Sequence, residues 1–224
     1  MKDTASVMQK LDAWVGSVGN GRYQPENNPA CSTNLSVLPV FGMQQVRAEI
    51  EEFTQVLVNR DLQYTGVAVE IGLGHFGSSH FLWRHLFNKV LTVEINHHRV
   101  NRFSLNLEKH YGYDCLSDKK SMFVINPSAS SYAVGKVYSH VSNIDMLFID
   151  GEHSYSAVLA DWLLYAPLVQ PGGLVAFHDC QSTDGDGGVK RFLEDLQQGK
   201  FVSVGKINNI IHSDNVGISY YEVA

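Results

Sequence analysis

Two short turns carry residue types that do chemistry. "FIDGEHSY" holds Asp150, Glu152 and His153, and "FHDC" holds His178 and Asp179. An oxygen-rich set of this kind can hold a divalent cation, with Mg²⁺ or Mn²⁺ favoured by carboxylates. It can also supply a base that removes a proton from a hydroxyl. A third stretch, "VEIGLGHFGSSHFL", spaces Gly72, Gly74 and Gly77 as G-x-G-x-x-G. Glycines let the chain turn tightly and let a ligand approach the backbone, and the N–H groups that open the next helix favour anionic or acceptor groups. The spacing fits a cofactor loop or an ordinary strand-to-helix turn. Glu94, in "LTVEIN", lies 22 residues beyond Gly72. A carboxylate at a strand end accepts from both hydroxyls of a ribose, or is merely solvated. Asn126 and Ser128, in "INPSAS", suit an adenine edge or the cap of the next helix.

Strands and helices in alternation must position these turns. "GVAVEI", "KVLTVEI", "SMFVI", "IDMLFI" and "GGLVAFH" read as five buried strands. Helical spacing follows in "FGSSHFLWRHLF", over 97–110, over about 129–138, from about 154 until Pro167, and over 188–198. "FVSVGKI" and "VGISYYEV" read as an antiparallel pair at the sheet edge. The implied fold is α/β and doubly wound, a mostly parallel seven-stranded sheet with an antiparallel C-terminal strand. Ligands of such sheets bind beyond the carboxyl ends of the strands, where the strand order reverses. Upstream, Met43, Val46, Ile50, Phe53 and Leu57 recur at helical spacing, and residues 16–40 read as a long loop. The expected division is an N-terminal extension with a lid or cap helix over 1–60 and a cofactor-binding domain over 61–224.

The 224 residues suit one such domain with a short extension. A formal net charge of −6 argues against a broad nucleic-acid or anionic-membrane surface. The three cysteines, Cys31, Cys115 and Cys180, are widely separated, which fits a reducing compartment. No apolar run is long enough for a signal peptide core or a membrane span, so a cytoplasmic protein is expected. Homo-oligomerisation is compatible with all of this.

"VEIGLGHFGSS", "VLTVEIN" and "FIDGEHSYSAVLADWLLYAPLVQPGGLVAFHDC" together resemble class I S-adenosylmethionine-dependent methyltransferases. The branch most similar is that of small-molecule O-methyltransferases acting on macrolide and aminocoumarin sugars, with cephalosporin hydroxylase-like relatives. The resemblance covers roughly residues 66–195. It implies O-methylation of a small-molecule hydroxyl, a sugar or natural-product acceptor, with S-adenosylmethionine as cofactor. It implies that Glu70 lies near the methionine end, that Gly72 and Gly74 admit the backbone, and that Ser78 or Ser79 contacts the carboxylate. Glu94 would hold the ribose, and Asn126 to Ser128 would lie near the adenine. Asp150 counts among the cofactor-binding residues and, with His178 and Asp179, among the metal positions of metal-dependent relatives. His178 departs from the carboxylate or amide usual there. Imidazole accepts Mn²⁺, Fe²⁺ or Zn²⁺ more readily than Mg²⁺. A metal-free arrangement, in which His178 packs or donates a hydrogen bond, stays open. The base is Glu152 in some relatives and His153 in others, and neutral imidazole near pH 7 favours His153. The N-terminal segment with Trp14, Arg22 and Tyr23 is either a lid over the acceptor or a disordered tail. The rival readings are an NAD-dependent oxidoreductase and a non-catalytic cofactor-binding protein on the same fold.

Overall fold

The computed structural model describes residues 3–26, 41–60, 66–112, 119–182, 187–202, 204–214 and 216–224. The rest of the expected 16–40 loop lies outside them. In chain order the elements are α1 (Thr4–Ser17), β1 (Tyr23–Gln24), β2 (Met43–Val46), α2 (Arg47–Asn59), β3 (Val67–Ile71), α3 (Ser78–Leu86), β4 (Lys89–Glu94) and α4 (His97–Tyr111). They continue with β5 (Ser121–Ile125), α5 (Ser131–His140), β6 (Ile144–Ile149), α6 (Tyr155–Tyr165), β7 (Val169–Phe177), α7 (Gly188–Gln197), β8 (Asn208–Ile210) and β9 (Ile218–Glu222). Pro167 sits in a 3-10 turn, Ala166–Leu168, that ends α6.

Seven strands form one sheet in the order β5-β4-β3-β6-β7-β9-β8. The first five are parallel, and β9 runs antiparallel to both its neighbours. The central strands are nearly continuous apolar runs because both faces are covered. Alternate residues face opposite ways. Ala68, Val90, Met146, Phe148, Leu174 and Ala176 pack with α1 to α4, whereas Val69, Leu91, Leu147, Ile149, Val175 and Phe177 pack with α5 to α7. No helix among the described residues is long and apolar enough to cross a membrane.

Three local expectations change. Met43 and Val46 belong to β2, which pairs in parallel with β1, and the helix starts only at Arg47. Their burial satisfies a strand as well as a helix, so spacing alone misplaces the boundary. None of the described residues of "FVSVGKI" is in a strand. Phe201 stacks on Phe192 and touches Trp162 instead, and the edge strand is β8, with Ile210 paired opposite Ile218. Trp14 is no lid residue: it is fully buried, stacked on Phe81 with centroids 4.6 Å apart, and its indole N–H donates to Ser78 Oγ at 2.9 Å. Tyr23 donates its hydroxyl to Asp12 at 2.7 Å. Trp14→Ala is therefore expected to cost about 3–5 kcal/mol in urea unfolding, by the usual penalty for emptying a buried aromatic site. Loss of well under 1 kcal/mol would mean that α1 is not part of the core.

Candidate functional site

The strand order reverses between β3 and β6, and the turns after these strands meet there. Backbone bonds continue the ladder past the strand ends. Gly72 N–H donates to Val93 at 2.9 Å, Asp150 N–H to Ile71 at 2.9 Å, His178 N–H to Ile149 at 3.0 Å and Asn126 N–H to Glu94 at 3.1 Å. Gly72 has φ +91°, and a Cβ there would lie 2.1 Å from the Asp150 carbonyl oxygen. Only glycine fits so close a contact in that conformation. The turn carrying His153 is held as tightly from the other side. A Cβ on Gly188, which opens α7, would lie 2.4 Å from the His153 carbonyl oxygen.

The acid–base cluster is continuous. Asp150 Oδ2 accepts from the Gln45 amide at 2.7 Å, and Asp150 Oδ1 lies 3.1 Å from His178 Nδ1. The same Nδ1 lies 3.0 Å from Asp179 Oδ2, which is 2.9 Å from His153 Nε2. Asp179 is the described non-glycine residue with positive φ, at 57°, a conformation that Asp tolerates better than most residues. Burial opposes charge on His178, but Asp179 and Asp150 outweigh it and hold the imidazole pKa well above its ordinary value. The hydrogen bond to Asp179 raises His153 too, against its partial burial. Burial pushes Asp179 up, and the His178 charge with bonds from both imidazoles more than reverses this.

Ligand atoms of Asp150, His153 and Asp179 all lie within 4.8 Å of one another, a spacing that admits one cation. The sequence reading had His178 in that set. His178 lies against both carboxylates through Nδ1, and its Nε2 is buried with no partner among the described residues. Glu152 points elsewhere: it is exposed, accepts from the Ser154 hydroxyl at 2.7 Å and lines a separate cavity.

That cavity, of about 410 Å³, opens beyond β3, β4 and β5. Ile71, Gly72, Val93, Ile95, Asn126 and Ser128 line one part of it, and Gly151, Ala157 and Asp161 another. A narrow cleft beside it is lined by Gly42 to Gln45, Leu73 to Ser79 and Asp150. Gly74 and both expected serines therefore border the cleft. Ser78 Oγ is already engaged by Trp14 and by the Gly42 carbonyl, and Ser79 bonds to Glu70. Glu94 is buried at the end of β4, between the wall residues Val93 and Ile95. Its Oε2 accepts from Leu73 N–H at 2.9 Å and its Oε1 from Asn96 N–H at 2.8 Å, so it also fixes the glycine loop.

Glu70 lines neither space. It is fully buried beneath the loop, accepting from the Trp83 indole at 3.0 Å and the Thr92 hydroxyl at 2.7 Å. Two residues were missed by sequence reasoning. Gln45 had no signal, whereas Asp161 is an acid on the apolar face of α6, beside Val158, Trp162 and Tyr165.

Residues 69–180 match the family model described as a methyltransferase domain. An uncharacterized protein of Acanthamoeba polyphaga mimivirus is 39% identical over 64 residues, which span 27% of this chain and only 29% of that protein. The fold is similar to that of an O-methyltransferase from Bacillus cereus solved in complex with SAH. That match has a TM-score of 0.55 at 14% identity and covers 99% of this chain and 92% of that one. It is also similar to MycE, a methyltransferase from the mycinamycin biosynthetic pathway solved with Mg, SAH and mycinamycin VI. Here the TM-score is 0.51 at 17% identity, covering 73% of this chain and 46% of that one.

The buried Glu70 gives a pH-dependent prediction. Burial, set against bonds from Ser79 and Thr92, pushes its carboxyl up to about 8 from 4.5. The folded state thus favours the protonated form. That contribution is complete below about pH 4.5 and is lost as pH rises towards 8. Glu70→Gln removes the ionisation and keeps the shape. The variant is expected to gain on the wild type between pH 5 and pH 8, by on the order of 1–3 kcal/mol in urea unfolding. A gap that does not widen with pH would show that Glu70 does not ionise at a cost.

Proposed function

The chain belongs to this methyltransferase-domain family, and on that premise we propose that it transfers a methyl group from S-adenosylmethionine to a hydroxyl oxygen of a small molecule. The observation that carries the reading is the convergence of Asp150, His153 and Asp179 beside a glycine-floored cavity at the switch point of the sheet. The SAH carried by the Bacillus cereus O-methyltransferase and by MycE supports the choice of cofactor.

The residues present fit that cofactor. The cavity beyond β4 and β5 has apolar walls and polar edges suited to an adenosine, and Glu94, between its wall residues Val93 and Ile95, would take the ribose. The adjoining cleft, with the Gly72–Gly74 backbone and Ser79, suits the amino-acid end. When bound, S-adenosylmethionine supplies an electrophilic methyl group on a sulfonium sulfur. The chain's task is then to align an acceptor oxygen with that methyl, a contribution of positioning. With Nε2 facing Asp179, His153 would take the hydroxyl proton at Nδ1. Asp179 orients its ring and stabilises the imidazolium that forms. Gln45 and His178 fix Asp150, and His178 fixes Asp179 in turn.

A divalent metal is part of the proposal. Asp150, Asp179 and His153 would hold it, and His153 would then be a ligand and not the base. Two carboxylates and one imidazole suit Mn²⁺ better than Mg²⁺, and MycE was solved with Mg. When bound, the cation would acidify and orient the acceptor hydroxyl.

Calorimetry with S-adenosylhomocysteine and with NAD tests the cofactor. S-adenosylhomocysteine is expected to bind one per chain and NAD not at all, and binding of NAD alone would overturn the reading. Mn²⁺ titration followed by the electron paramagnetic resonance of the free ion tests the metal. Uptake of one ion per chain is expected, weakened by roughly 10–100-fold or more in Asp179→Asn. No uptake by the wild type would remove the metal and leave His153 as the base.

A further inference from the structure

The apolar face of α6 carries one carboxylate where its spacing calls for a hydrophobe. Val158, Asp161, Trp162 and Tyr165 are its buried residues. Asp161 is 2% exposed, and its Oδ1 has no hydrogen-bond partner among the described residues. Its other neighbours are accounted for. The Ser128 hydroxyl bonds to the carboxylate. Oδ2 faces the Gly151 turn, 3.6 Å from where a Cβ would stand. Ser128 is itself fixed, because Tyr165 donates its hydroxyl to the Ser128 carbonyl. Asp161 also forms part of the wall of the cavity of about 410 Å³. A buried acceptor without a donor is costly, and water or a ligand must complete it.

The shape of the cavity says which donor. Val93, Ile95, Pro127 and Ala157 give it apolar walls, and Ile95 keeps 68% of its surface exposed, high for an isoleucine at the rim of a ligand site. Such walls suit the faces of a planar ring. On the proposed reading Glu94, at the end of β4, takes the ribose hydroxyls, and the amino-acid end lies in the cleft by Gly74. The remaining donor on an adenosine is the exocyclic 6-amino group, since the other edge atoms of the ring are acceptors. We infer that Asp161, steadied by Ser128 and Tyr165, accepts a hydrogen bond from the 6-amino group of the cofactor's adenine and so selects adenine over a 6-oxopurine. This rests on the proposed cofactor and adds the residue that recognises its base. Burial pushes the Asp161 carboxyl up to about 6, so it is mostly an acceptor-only carboxylate at neutral pH.

The test compares S-adenosylhomocysteine with S-inosylhomocysteine, which carries an oxygen in place of the amino group. Dissociation constants are measured by calorimetry for the wild type and for Asp161→Asn. The wild type is expected to prefer the adenosyl compound by at least tenfold. Asp161→Asn, whose amide can donate to a 6-oxo group, is expected to bring the two within about threefold or to reverse them. A wild type that binds both equally overturns the assignment without recourse to a variant. A wild-type preference that survives unchanged in Asp161→Asn overturns it as well, with the cofactor reading intact. If the wild type binds neither compound, the cofactor reading itself fails and takes this inference with it.

Discussion

The close approach of Gly72 to the Asp150 carbonyl is the constraint on which the rest depends. It is where β3 and β6, distant in sequence, end side by side. A side chain at 72 would overlap the Asp150 backbone at 2.1 Å, so the two turns could not share one edge. With glycine there, the loop that borders the cavity and the turn that carries the acid–base cluster become one surface. Glu94 then locks the loop from the opposite side through Leu73 N–H. The sheet switch thus sets the distance between the cavity and the cluster before any side chain contributes.

The site tolerates charge because its charges are arranged in pairs. Asp150 and Asp179 would repel at this spacing, and His178 between them, with Nδ1 near one oxygen of each, turns repulsion into a bridge. Buried ion pairs of this kind rarely add stability over an apolar core, because desolvation offsets most of the attraction. What they do here is fix geometry. Glu70 shows the same economy beneath the loop. It is bonded to Trp83, Thr92 and Ser79, and Thr92 passes the connection to the neutral, fully buried His80 at 2.7 Å. One internal network therefore ties β3, β4 and α3 together under the glycines.

Much of this was legible in the residues. The five parallel strands and the helices between them follow from periodicity, which reports burial on one or two faces, and the doubly wound arrangement from their alternation. The turns after the fourth and fifth strands were legible because acids and imidazoles crowd there at the end of apolar runs. The approach of His153 to Asp179 was not, although His178 lies against both carboxylates as well. Which side chains of a turn meet depends on backbone geometry such as the positive φ of Asp179, which spacing does not report. Gln45 was invisible for another reason: a lone amide on a four-residue strand has no pattern. Asp161 did break the α6 pattern. Reading helices for their hydrophobes passes over such a residue, although an acid on an apolar face is the more informative one.

The placement of β9 has a consequence for how the chain comes to this structure. Ile218–Glu222 does not finish the sheet from outside but enters between β7 and β8, covering the flank of β7 whose turn supplies His178 and Asp179. Until those residues arrive, a growing chain holds β7 as an open edge, able to pair with any other strand it meets. The partnership is non-local, so it forms late compared with the helices. A ribosome-bound chain short of this strand would therefore carry the turn of His178 and Asp179 at the end of an unguarded strand, open to aggregation.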